Sequence, residues 1–211
     1  MTQTTPSEPP TVLRRLDSGS ATTLVNLLAT FEDLQMVLRC CERLMSELGA
    51  GDADDVAIES VWTTAVLSYA RCFSTDDARA PLTEDDLTAT LSNSDVLDWH
   101  RVLLQLRQHY AHPSVNPRER FSVGVAQAAD GTAGGIGVAS ARQPSVDDIT
   151  VRQTGAIAFG LSKMVNDRIA DQQAKVFDEV KDLGKAELDQ LAPLEVAPPD
   201  EQPDATGPAT P

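Results

Sequence analysis

His100, His109 and His112 are the only histidines in the chain, and Arg101, Arg107, Arg118 and Arg120 lie among and just after them. From His100 to Arg120 the only acid is Glu119. With 17 Lys and Arg against 32 Asp and Glu and a formal net charge of −15, the chain has one basic island, and this is it. A histidine titrates near neutrality, so it can take or release a proton. An arginine can fork two N–H donors onto one phosphate and steady negative charge as it develops. Arg107 and His112 have the spacing Arg-x4-His, at the end of a helix that Pro113 and Pro117 prevent from continuing. Such a pair meets the two needs of metal-independent RNA cleavage, in which a 2′-hydroxyl attacks its own phosphodiester. A plainer reading fits the same residues. Cations are favoured at a helix C-terminus, where they cap the last carbonyls.

Other chemistries find less support. His109 and His112 at i, i+3 could bind a metal, but no carboxylate lies nearby at helical spacing. Gly134-Gly-Ile-Gly-Val-Ala-Ser140 has the texture of a phosphate loop, but such a loop must run straight into a helix, and Arg142-Gln-Pro144 intervenes. The three cysteines lack CxxC spacing, so they do not make a zinc site. No cofactor or metal is expected. Arg71 is a charged residue in an apolar helix. It is expected to pair with a carboxylate such as Asp76 or Asp98, with a second phosphate contact as the alternative. The acidic charge opposes general nucleic-acid binding, whose affinity comes largely from neutralised phosphates. Contact with RNA must come from the island: Arg101, His109, Asn116, Arg118 and Arg120 around Arg107 and His112.

The elements that position these residues are mainly helical. Leu24, Leu27, Leu28, Phe31, Leu34, Leu38, Cys41, Met45 and Leu48 recur at three and four, predicting a helix over 20–48 that Gly49 and Gly51 end. A second spans 56–73, with Ile58, Trp62, Ala65, Tyr69 and Phe73 on one face. Thr83 and Asp86 have the spacing of a capping box for a short third helix ending near Leu91. Ser94 or Asp95 caps a fourth over 96–110, with Val96, Trp99, Leu103, Leu106 and Tyr110 inward. Alternation then switches to period two. Phe121, Val123 and Val125 predict a strand, and Asp130-Gly131 a two-residue hairpin turn that sets Val125 opposite Ile136 and Val123 opposite Val138. A lone hairpin is marginal in water, so it is expected to lean on the helices, with Gly124, Gly135 and Gly137 admitting close backbone approach. Ser145 to Asp148 cap a last helix over 149–183, which Gly155 and Gly160 weaken and which is expected to outrun the domain. The fold class is therefore mainly α: a bundle of four to five helices, one inserted β-hairpin at about 120–141, and a long C-terminal helix.

Apolar residues are 41% of the chain, enough for one core once the ends are set aside, and no run is long enough to span a bilayer. Residues 1–18 are polar and Pro-rich, without the basic-then-apolar order of a signal peptide. Residues 185–211 are acidic and Pro-rich. Both ends are expected to be disordered around a domain over 19–184. The absence of an export signal and the unpaired cysteine count predict a cytoplasmic chain with reduced, buried thiols and no membrane association.

The segments Trp62-Thr-Thr-Ala-Val-Leu-Ser-Tyr-Ala-Arg-Cys-Phe73 and His100-Arg-Val-Leu-Leu-Gln-Leu-Arg-Gln-His-Tyr-Ala-His-Pro-Ser-Val-Asn116 resemble uncharacterised bacterial proteins of the HEPN-like superfamily. The similarity covers about residues 57–125. The resemblance implies a helical bundle that pairs as a homodimer, so that two Arg-x4–6-His motifs line one cleft. It also implies RNA cleavage without metal, in toxin–antitoxin, phage-defence or RNA-processing settings, or else nucleotide or partner binding without catalysis. It assigns Arg107 and His112 as the motif pair. Gln108 departs from the Asn, Asp or His that often follows the arginine. From another class comes a non-catalytic helical scaffold that binds a protein partner through its long last helix and hairpin.

Overall fold

A computed structural model describes residues 12–50, 54–74, 82–91, 95–112, 116–142 and 145–194. In chain order they form α1 (Gly19–Gly49), α2 (Asp55–Arg71), α3 (Glu84–Thr90), α4 (Asp95–Ala111), β1 (Glu119–Gln127), β2 (Ala133–Arg142), α5 (Asp148–Val180) and the single turn α6 (Lys185–Leu188). The fold is mainly α, with one antiparallel hairpin and a long helix near its C-terminal end, as the periodicities predict.

Local chemistry sets the helix starts. Ser18 accepts from the Ala21 N–H at the head of α1, Asp54 from Val56 and Ala57 on α2, and Asp147 from Thr150 on α5. Thr83 and Asp86 close the expected capping box on α3. Ser94 lies outside the described residues.

Helix α1 packs along α5 and against α2, α2 packs on α4, and α3 and α4 return to α5, closing a ring of four long helices. The two longest run antiparallel. Gly155, near the start of α5, sits beside Cys41 late in α1, and Gln172 donates to the Ser20 carbonyl at 2.9 Å. Leu34, Val37 and Leu44 of α1, Val66 and Tyr69 of α2, Leu103 of α4 and Leu161 and Val165 of α5 are fully buried between them. Polar side chains tie the helices as well. Trp99 Nε1 donates to Thr154 Oγ1 at 3.1 Å, and Gln35 Nε2 to Ser162 Oγ at 2.7 Å. Arg168 of α5 pairs with Asp86 of α3. The three cysteines are buried, and burial, with Cys40 beside it, pushes the Cys41 thiol up to about 12. These thiols are packing groups rather than nucleophiles.

Several expectations need correction. Helix α5 does not outrun the domain, because α1 is of nearly equal length and covers it. Its far end meets Ser18 and Ser20, which both donate to Glu179. The ends also hold more structure than their composition suggests. Residues 12–18 lie against the segment after α6: Arg14 and Pro193 form an antiparallel bridge, Arg15 N–H donates to the Ala192 carbonyl, and Leu194 N–H to that of Leu13. Arg14 adds a bond to the Leu191 carbonyl and an ion pair with Asp189. Low apolar content misjudged these segments because main-chain and charged groups, not apolar ones, hold them. Arg71 pairs with Asp33 of α1 at 3.1 Å.

The hairpin keeps the expected register, with Val123 opposite Val138 and Val125 opposite Ile136, but not the expected turn. A bulge falls between Ala126 and Gln127. The loop beyond is longer, closed by Ala128 N–H to the Thr132 carbonyl, and Gly131 takes φ +87° within it. Nor does the ribbon lean on the helices. Apart from Glu119, every residue of both strands is exposed, and a Cβ added at Gly124 or Gly135 would meet nothing within 4 Å.

Gly155 offers a test of the packing. A methyl there would touch Cys41 Cβ at 3.5 Å, an ordinary van der Waals distance. Gly155→Ala should therefore keep the helix contact and gain helix propensity, stabilising the chain by up to about 1 kcal/mol. A lower melting temperature in this variant would show the α1–α5 contact to be tighter than described.

Candidate functional site

Helix α4 carries the basic island out of the bundle. Val96 and Leu103 fix its inner face, Leu106 and Tyr110 still pack against the core near its end, and the N–H of His112 bonds to the Gln108 carbonyl at 2.9 Å. Arg107 and His109 are half-buried and His112 is exposed. Arg107 has no hydrogen bond or ion pair among the described residues. At about 100° per residue, Arg107 and His112 leave α4 roughly 140° apart, while His109 and His112 lie one turn apart on one side. The helix end thus presents an arginine on one flank and imidazoles on another.

The other island residues divide. Arg101 pairs with Glu84 and Asp98 at 3.3 and 3.5 Å, and Arg118 with Glu59 at 2.7 Å. Both have counter-charges in the fold and have less to offer a phosphate. Asn116 is a turn former: its Oδ1 accepts from the N–H groups of Arg118 and Glu119. Arg120 is exposed and has no ion pair among the described residues. Tyr110 lies half-buried between these groups. Burial and the nearby Glu59 raise its pKa, against Arg118 and a hydrogen bond with Thr63.

His100 leaves the island altogether. It is 3% exposed, and its Nδ1 shares a 2.9 Å hydrogen bond with the hydroxyl of the fully buried Tyr69. Its ring packs against Phe73, with centroids 4.4 Å apart. Burial lowers its pKa, helped by Arg101 and opposed by Glu84. The signal was in the spacing, since His100 falls between Val96 and Leu103 on the apolar stripe.

Among the described residues, no group of three or more His, Cys, Asp or Glu is placed to hold a metal ion, and no helix is long and apolar enough to cross a membrane. Comparison with family models, with curated proteins and with solved structures finds no match.

Proposed function

We propose that the chain is a HEPN-like RNA-binding domain that cleaves RNA without a metal ion, with Arg107 and His112 at the end of α4 as its phosphate-holding and proton-moving groups. The observation that carries this reading is the state of Arg107. Among the described residues it keeps no carboxylate partner, on a chain where acids outnumber Lys and Arg 32 to 17, while its neighbours Arg101 and Arg118 both have one. The exposed imidazole of His112 stands about one and a half helical turns further along. Because the two side chains leave α4 in different directions, closing both on one phosphodiester calls for a second copy, which agrees with the homodimer that the resemblance implies. His109 and Arg120 would line the approach. Asn116 would shape the loop that carries Arg118 and Arg120.

The test is incubation of the full chain with end-labelled single-stranded RNA, with and without EDTA. The expected result is cleavage in both, leaving 2′,3′-cyclic phosphate ends. Cleavage that stops in EDTA refutes the metal-independent step. No binding and no cleavage of any RNA refutes the reading as a whole.

A second reading, a non-catalytic scaffold for a protein partner, is favoured by a different observation: a ribbon of exposed apolar side chains that no part of the described bundle covers.

A further inference from the structure

We propose that the β1–β2 hairpin is a self-association element, which packs its apolar face on the same face of a second copy of this chain.

Residues of like parity share one face of a ribbon. The register places Phe121, Val123 and Val125 of β1 beside Val138 and Ile136 of β2 on a single face. All five are between 57% and 71% exposed. The opposite face carries Ser122, Gly124 and Ala126 against Ala139, Gly137 and Gly135, so the large apolar side chains are all on one side. A two-stranded hairpin without a covered face is marginal in water. This one has strands of nine and ten residues and no cover from the helices.

Area and charge select the occupant. The five side chains expose on the order of 500 Å², near the top of the range for the largest apolar patch on a monomer. Two such faces in contact bury about 1,000 Å², the lower bound for a specific interface. The face is therefore large enough for its own copy, with no further surface needed. Between Arg120 and Arg142 the only charged residue is Asp130, at the tip of the ribbon. At the base, Glu119 and Arg142 stand directly opposite each other on the same face, so the two signs offset there. Between base and tip the apolar face therefore carries no charge that a second copy would bury unpaired, and a two-fold axis through it brings like residues together. The ribbon is thus matched to its own copy in apolar area, with no charge on the face to oppose the contact.

Light scattering on the full chain at tens of micromolar should give twice the 22.6 kDa chain mass. Val123→Asp and Ile136→Asp should each raise the dimer dissociation constant at least about thirty-fold, as removal of a central interface residue does. Their helical circular dichroism should stay unchanged, because neither side chain touches the bundle. A wild-type monomer overturns the proposal. So does a dimer that both apolar-face variants leave intact, since its interface would lie elsewhere.

Discussion

Arg107→Ala and His112→Ala should each lower the rate of RNA cleavage by about 10²–10⁴-fold, the range for losing a general acid–base group or an electrostatic stabiliser. The fold should survive both changes. Arg107 gives up no described ion pair and His112 lies beyond the last residue of α4, so truncation removes chemistry with little packing. The neighbours provide the contrast. Arg101→Ala and Arg118→Ala free carboxylates that are now neutralised, so they raise local negative charge without removing a reacting group. They should weaken RNA binding modestly and leave the cleavage step nearly unchanged. His109→Ala should also matter less than His112→Ala. Labelled-RNA kinetics under single-turnover conditions, with circular dichroism on each variant, separate these effects. Undiminished cleavage in both the Arg107 and His112 variants would rule out the mechanism.

The second large effect concerns stability. Tyr69→Phe should cost about 1–3 kcal/mol, because it strips the hydrogen-bond partner from a buried imidazole nitrogen and offers nothing in its place. His100 should also make the chain sensitive to acid. Burial lowers its folded-state pKa below the ordinary 6.5. Between that lowered value and about 6.5, the unfolded chain binds more protons than the folded one. Stability from this residue is therefore complete above about pH 6.5 and is lost as the pH falls towards the folded-state pKa. Denaturant melts from about pH 7.5 to about pH 5.5 test this, with His100→Gln as the control that cannot titrate. The stability gap between wild type and control should narrow as the solution is acidified. A gap that stays constant across that range would show that His100 does not titrate on unfolding in this window.

Much of the architecture was legible because helix and strand periodicities are local. The α1 stripe, the Thr83–Asp86 box and the hairpin register each rest on residues a few positions apart. What escaped depends on partners remote in sequence. Arg71 finds Asp33 two helices' length away in the chain, and Arg14 finds Asp189 at the far end of it. No spacing rule connects such pairs. The hairpin shows the same limit differently. Alternation tells which face is apolar but not what lies over it, so a face expected to meet the bundle stands clear of it. At the candidate site, Arg107 and His112 were found by motif spacing. The pairing that sets Arg101 and Arg118 apart from Arg107 emerged only once α3 and α2 supplied Glu84 and Glu59.

The clasp between residues 12–15 and 191–194 has a mechanical consequence. Because the two segments are antiparallel and leave the bundle side by side, a load applied to both ends would peel them apart rather than slide them. The bonds from Leu194 to Leu13 and from Arg15 to Ala192 would then bear the load in turn, not together. The Arg14 contacts with Leu191 and Asp189 would follow, and then the serine bonds to Glu179. Only after these would tension reach the first buried turns of α1 and α5. Tethered at its ends, the domain would yield like a zip, at low force and in small steps, before its core resists.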